Sequence, residues 1–476
     1  MSFTTDESRW SDVWLAAAAR GTTICGDFLA ATALALALQG AGAGGLAVSG
    51  LLLAATLPLV VLAPLAGRLA DRTDSRTLLV TIGFGQAAIC ALLAVVEQPV
   101  LVVGLVALLA CGLAVTQPCL AALLPAMVRP ADLPRASAIS QTAVSLGALG
   151  GPVLAGLLVG QFGTRVPLLL DAATYLALVV AGLLLRTRRG GQRSATAASK
   201  AVASETAASK AVVSSETAAS RAAAVSSPAV SGGVPTPGGT EVGWRLRRDP
   251  LMLVMVVSTA VVIAAIGGIN VIEVFFIRET LGGSATTYGL VSAAWMAGML
   301  PGTWLAVRLA RRLDDDGALV RGVLATLAVC SLMVLLAATV PAAGVLVPLW
   351  VVGGAANGGE NVFANLLTAR RVPEAMRARA YASYGAAVQG GSMAGFLIGG
   401  ALLAVVPPRP LIAGAGVVGL LVVLAFVPVL AGAARRSSSA GLATPGRPAE
   451  PEPAAGDTVG PWLSASHARG SGTSSS

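Results

Sequence analysis

The sequence predicts an all-α membrane protein with twelve transmembrane helices in two six-helix pseudo-repeats. Three observations carry that prediction. The chain has 476 residues, 55% of them hydrophobic and only 12% charged, and a soluble domain carries about twice that charged share. Twelve apolar runs of spanning length occur, six on each side of a polar insert. The two sets also repeat in register. Leu65-Ala-Gly-Arg-Leu-Ala-Asp-Arg72 aligns with Leu305-Ala-Val-Arg-Leu-Ala-Arg-Arg312, and Asp132-Leu-Pro-Arg135 aligns with Glu374-Ala-Met-Arg377. The ten-residue alternation of a membrane barrel is not found, and the 56 glycines suit helices packed through small side chains.

In chain order, residues 1–12 form a short N-terminus. The first six runs fall at about 13–38, 45–66, 77–97, 99–127, 138–160 and 165–186, and make an amino-terminal bundle over 13–186. Residues 187–248 are Ala/Ser/Thr/Gly-rich, with a repeated Thr-Ala-Ala-Ser-Lys/Arg at Thr196, Thr206 and Thr217. They hold too little apolar bulk to fold and are expected to be a disordered linker. The second set falls at about 250–277, 287–310, 319–340, 343–369, 379–404 and 409–433, a carboxy-terminal bundle over 249–433. Residues 434–476 are Ser/Gly/Pro-rich and are expected to be a disordered tail. The first run is long and leads straight into a second, so no cleavable signal peptide is expected.

Charge placement gives the orientation. The net charge is +9, which on its own would suggest a polyanion partner. With the N-terminus inside, all Lys and Arg except Arg165, Arg278 and Arg409 fall on the cytoplasmic side, the positive-inside bias of a polytopic protein. The basic balance therefore reports topology, and no nucleic-acid partner is expected. Both termini, the linker and the tail are placed in the cytoplasm. The five cysteines all lie within apolar runs without metal-type spacing, and the single His467 lies in the tail. No metal site or histidine proton relay is expected. A phosphate-binding Gly-rich loop and a Ser/His arrangement are also missing, so neither an ATPase nor a hydrolase is indicated.

The loop after the second run packs five charged residues into the ten from Gly67 to Arg76. Gly67, Leu69, Asp71, Arg72 and Arg76 make it resemble the loop between helices 2 and 3 of the major facilitator superfamily, with Asp74 where a Gly is usual. The resemblance covers nearly all of residues 10–433 and implies two bundles rocking about a central substrate site. It also implies that Asp71 holds a cytoplasmic gate, with Arg129, Arg135, Arg377 and Arg379 as candidate partners. The fifth run contains Gly147-Ala-Leu-Gly150-Gly151-Pro152-Val-Leu-Ala155-Gly156, which is similar to the Gly-Pro signature of exporters in the superfamily. Gly147, Gly151, Pro152 and Gly156 are read as a kinked, closely packed helix. The eleventh run keeps the glycines at Gly390, Gly391 and Gly395 and lacks the proline.

Charged and amide side chains inside spans are the candidates for function, since each charge costs about 2.5–3.5 kcal/mol at a helix centre unless it is paired, hydrated or protonated. Asp27 lies mid-way along the first run with Arg20 on the same face, so it either couples protons or substrate or forms a static pair. The repeat register expected from the loops puts Asn270 near the Asp27 position, with Glu273 one turn on. Asn357, Glu360 and Asn361 sit among glycines in the tenth run, either lining a cavity or bonding loosened backbone. Asp171 is read as a boundary or structural polar group. The fourth run lacks the Arg common in proton-coupled drug exporters.

The resemblance is closest to the bacterial branch that includes enterobactin and macrolide efflux carriers. It implies proton-coupled export of a drug-like or siderophore-like molecule by a multi-pass, monomeric protein of a bacterial plasma membrane, with no cofactor besides the proton gradient. One charge moved across 100 mV is worth about 2.3 kcal/mol. At about 1.4 kcal/mol per tenfold, one proton sustains a gradient of some tens-fold. Sparse acids among apolar residues favour amphipathic, cationic compounds. A nutrient uptake carrier and a non-transporting sensor or scaffold on the same fold are the alternatives. The orientation is checked by fusing alkaline phosphatase after residue 200: enzyme activity there stays at background, whereas a fusion in the 163–164 connection is active.

Overall fold

The computed structural model describes residues 8–63, 65, 68–69, 73–185, 187, 246, 249–313 and 315–442. Among these there are twelve long helices. They are α1 (Trp10–Gly40), α2 (Gly44–Val61), α3 (Ser75–Leu93), α4 (Pro99–Met127), α5 (Leu133–Phe162) and α6 (Arg165–Leu184) in the first half. The second half holds α7 (Pro250–Thr280), α8 (Ala285–Ala310), α9 (Asp316–Ala337), α10 (Leu346–Arg371), α11 (Glu374–Leu402) and α12 (Pro408–Leu442). The expected six-plus-six order is present, and described residues up to Ala434 form one compact unit. Most of the linker and most of the tail lie outside the described residues.

Local chemistry sets the helix starts. Asp74, Asp249, Ser284 and Asp315 accept backbone N–H bonds as N-caps of α3, α7, α8 and α9, the preferred residue types for that position. Asp74, the departure from the family pattern, therefore has a job of its own. Gly42 and Gly44 turn the chain between α1 and α2 at φ of 67° and 76°, a region open to glycine at little cost. Ten of the twelve helices are long and apolar enough to cross a membrane by length and composition. The other two are α10 and α11, where Asn357, Glu360 and Asn361, or Gln389 and Ser392, dilute the apolar content.

The halves repeat one packing scheme. α1 packs on α5 and α6, α2 on α4, and α3 on α6. In the second half α7 packs on α11 and α8 on α10, while Gly416 and Gly419 bring α12 onto α9 and α7. Several crossings are backbone to backbone, closest between α8 and α10, where a Cβ on Gly298, Gly302 or Gly354 would collide with a carbonyl oxygen of the facing helix. A Cβ on Gly151 would lie 2.6 Å from Phe28 Cβ and 2.7 Å from the Cys25 carbonyl, and Gly147 abuts Gly21 and Cys25 in the same way. Gly391 and Gly395 make the equivalent contacts to Ala260, Ala264 and Gly268. Matching these contacts pairs Cys25 with Ala264 and Leu29 with Gly268. Asp27 therefore corresponds to Ile266, and Asn270 corresponds to Ala31. Asn270 thus stands four residues past the position equivalent to Asp27, and the loop alignments, at offsets of 240 and 242, are one and three residues longer than the 239 of the α1 and α7 crossings.

The halves meet along α2–α11 and α5–α8. Gly45 lies against Gly400, and Ser49 donates to the Phe396 carbonyl at 2.6 Å. Gly156 lies against Ala285 and Gly289, Thr286 donates to the Gly156 carbonyl at 3.2 Å, and Gln39 donates to Glu279 at 3.0 Å. All of these contacts sit at the end away from the basic loops. Gly156 thus serves the junction between halves, whereas Gly147 and Gly151 serve α1. At the basic end, Arg371 of α10 bonds both oxygens of Asp249 at 3.0 and 2.8 Å and Asp316 at 3.1 Å, tying α7, α9 and α10 together.

Two consequences can be measured by thermal unfolding of purified protein. Gly151→Leu overpacks the α1–α5 crossing and lowers stability by about 1–3 kcal/mol, while Gly85→Leu, whose Cβ meets nothing within 4 Å, leaves it unchanged. Arg371→Ala strands the buried Asp249 and costs about 3 kcal/mol, and Asp249→Asn in that background recovers part of the loss.

Candidate functional site

A cavity of about 340 Å³ lies between the halves. α1 contributes Phe28, Ala31 and Thr32, α5 contributes Pro152, and α7 contributes Asn270 and Glu273. Tyr288 and Trp295 come from α8, Trp350 and Asn357 from α10, and Ser392 from α11. The four predicted residues brought together here are therefore Pro152, Asn270, Glu273 and Asn357. Glu273 is the one charged side chain among the described residues of the lining. Its Oε1 accepts the indole N–H of Trp350 at 3.1 Å, which orients the carboxyl from a second helix. Trp295 stands edge-on to Trp350, with ring centroids 6.2 Å apart at 80°. The Asn270 amide donates to the Gly267 carbonyl at 3.0 Å, leaving its oxygen for the cavity.

The remaining candidates lie elsewhere. Glu360 is buried between α7, α10 and α11, where its Oε1 accepts from Tyr384 at 2.5 Å and Thr259 at 3.4 Å. Asn361 donates to the Asn357 carbonyl at 2.9 Å, the backbone-bonding role that was the second reading of it. Asp27 turns away from the cavity towards α6, where Tyr175 donates to its Oδ1 at 2.5 Å. The static pair with Arg20 does not form. Arg20 reaches Ser140 of α5 at 3.4 Å instead, because seven residues of helix separate the two side chains by about 10 Å. Asp171 is no boundary group: it is fully buried inside the first bundle. Sequence reasoning left out Tyr288, Trp295 and Trp350, whose apolar neighbours make them indistinguishable from core, and Asp249 with Arg371. The Asp249-Pro250 pair, a cap followed by Pro at the first helical position, was the available signal for the last.

Of the gate residues, Gly67, Asp71 and Arg72 lie outside the described residues. Arg76 sits in the first turn of α3. Arg135 lies over the Trp10 ring at 4.8 Å, and Arg377 donates to the Val372 carbonyl at 3.2 Å, each within its own half.

An acid held by an indole and walled by four aromatic rings can hold an organic cation, through charge and through the ring faces. A group that is carboxylate on one side and aromatic on the other also releases that cation when a proton replaces it. The hydrogen bond itself has a measurable weight. Trp350→Phe removes a donor to a buried carboxyl and lowers unfolding stability by about 1.5 kcal/mol, with Trp295→Phe, which loses only ring contact, as the smaller change.

The family model of the Major Facilitator Superfamily matches residues 16–275 and 252–469. No match was found among curated proteins. Solved structures with the same fold include a mutant of the nucleoside transporter NupG, at TM-score 0.65 and 13% identity over 88% of this chain and 98% of that one. A mutant of the peptide transporter POT gives 0.65 and 15% over 91% and 96%. A bacterial homologue of the human lysosomal transporter Spinster gives 0.57 and 14% over 89% and 95%.

Proposed function

The chain belongs to the Major Facilitator Superfamily, and from that premise we propose that it exports amphipathic organic cations, of drug-like or siderophore-like size, in exchange for protons. The observation that carries this reading is Glu273, the one charged side chain among the described residues of a cavity wall otherwise built of aromatic, amide, hydroxyl and apolar side chains. A cation bound there neutralises the acid and stacks on Trp295, Trp350, Tyr288 or Phe28. A proton arriving at the same oxygen removes the charge that held the cation. In this reading the protein sits in a bacterial plasma membrane as a monomer, with both termini in the cytoplasm, and uses no cofactor.

The contacts between halves support the alternating-access part. They gather at one end, around Gly45–Gly400 and Gly156–Gly289, while the parts of α2, α5, α8 and α11 nearer the basic loops are largely exposed. With the basic loops in the cytoplasm, this is a cavity shut to the outside. An uptake carrier is the second reading, because two of the similar structures are named as nucleoside and peptide transporters. Those likenesses concern the fold. A peptide brings its own carboxylate, and no Lys or Arg lines this cavity among the described residues.

The test is proton flux in inverted, respiring membrane vesicles challenged with tetraphenylphosphonium and with neutral and anionic compounds of similar size. Proton release from the lumen is expected for the cation, and Glu273→Gln weakens its apparent affinity at least tenfold. A response to anions alone, or an equal response in Glu273→Gln, overturns the cation-export reading.

A further inference from the structure

The first bundle holds a second acidic site that the cavity does not use. Within the membrane-spanning lengths of α1 to α6 there are three charged side chains away from the helix ends: Arg20, Asp27 and Asp171. Both acids face the packing of α1 against α6. Asp171 is 0% exposed, its Oδ2 accepting from the Cys90 thiol of α3 at 3.1 Å and its Oδ1 from Thr174 at 3.1 Å. It also lies against Gly26, the residue preceding Asp27, where any side chain larger than hydrogen would collide with Oδ1. One turn along α6, Tyr175 donates to Asp27 Oδ1 at 2.5 Å. Asp27 Oδ2 is buried with no hydrogen-bond partner.

The groups facing this pair are known from each packed helix. α1 brings Cys25 and, further along, Arg20, which is engaged with Ser140 of α5. α3 brings Cys90, and α6 brings Thr174 and Tyr175. α2 and α4 carry no charged residue between Gly44 and Val61 or between Pro99 and Met127. Two carboxyls thus face the same α1–α6 contact, met by neutral donors and with no cation in bonding distance among the described residues. A bare carboxylate oxygen in such a place is costly, and two like charges sharing a site interact too strongly to ionise independently.

We propose that Asp27 and Asp171 form a proton-binding pair inside the amino-terminal bundle, separate from the substrate cavity. One proton, taken up from water, forms an O–H bond at the pair and lies at Asp27 Oδ2, the acceptor that no donor serves. The site communicates with the cavity through α1 itself. Asp27 faces α6, while the next residue, Phe28, faces the cavity, and that same stretch of α1 is clamped to α5 by Gly147 and Gly151. Protonation changes the α1–α6 contact on one face of a helix whose adjoining face, about 100° round at Phe28, lines the cavity. The proton site is therefore intrinsic to the bundle, and its use in transport rests on the antiport reading above.

The experiment is infrared difference spectroscopy of the purified full-length protein in lipid nanodiscs, titrated between pH 5 and 9. A carbonyl band of a protonated carboxyl is expected in the native protein and in Glu273→Gln, and is lost in Asp27→Asn/Asp171→Asn. Tyr175→Phe keeps the fold and the band but moves it to higher frequency, because the carbonyl loses a donor; this variant serves if the double variant does not fold. No band that is sensitive to any of these substitutions overturns the proposal. Tetraphenylphosphonium is then added. Proton release abolished in the double variant, with cation binding by Trp fluorescence retained, supports coupling through the pair. The band present with no response to the cation leaves the proton site standing and removes the export reading instead.

Discussion

Everything in this molecule depends on how closely α1 approaches α5 and α7 approaches α11. At both crossings the backbones touch, because glycine leaves no side chain between them: Gly147 and Gly151 in one half, Gly391 and Gly395 in the other. In a bilayer, helices gain nothing from burying apolar surface against one another, so van der Waals contact at short range has to hold them. The same closeness sets which faces of α1 and α7 look into the centre. Phe28, Ala31 and Thr32 on α1, and Gly267 and Asn270 on α7, reach the cavity because the glycine contacts fix the rotation of both helices.

The polar groups follow from that rotation. Three of the interior acids are met by an aromatic donor: Glu273 by Trp350, Glu360 by Tyr384 and Asp27 by Tyr175. Only one of the three lies on the cavity wall. The strongest ion-pair cluster, Arg371 with Asp249 and Asp316, lies at the basic end, where water and headgroups lessen the cost of charge. Charge in the interior is thus scarce, held in place by neutral donors and divided between a site open to ligand and sites closed to it.

Much of the architecture was legible in the sequence. Twelve apolar runs, their division by a low-complexity insert and the bias of Lys and Arg are properties of single segments, and hydrocarbon imposes them segment by segment. The family likeness carried by Gly67–Arg76 agrees with the match along the chain. Asp27 shows where such reading stops. Its depth in α1 was evident, but whether it faced the cavity, Arg20 or α6 depended on a rotation of a few tens of degrees set by glycines more than a hundred residues away. Of the two readings of Asp171, the boundary one fails for the same reason, since distance from a helix end in sequence says little about which neighbours enclose a side chain. The aromatic wall was illegible because tryptophan in an apolar run looks alike whether it faces lipid, core or cavity.

By itself, then, the sequence determined the number of spans, their pairing into two repeats and the superfamily, since these follow from hydropathy, charge placement and local motifs. Only the tertiary structure decided that Glu273 faces the cavity while Asp27 and Asp171 turn to the α1–α6 contact, and that Asn270 corresponds to Ala31 rather than to Asp27. Those outcomes are set by helix rotation and by contacts between distant backbones, which no local pattern of residues encodes.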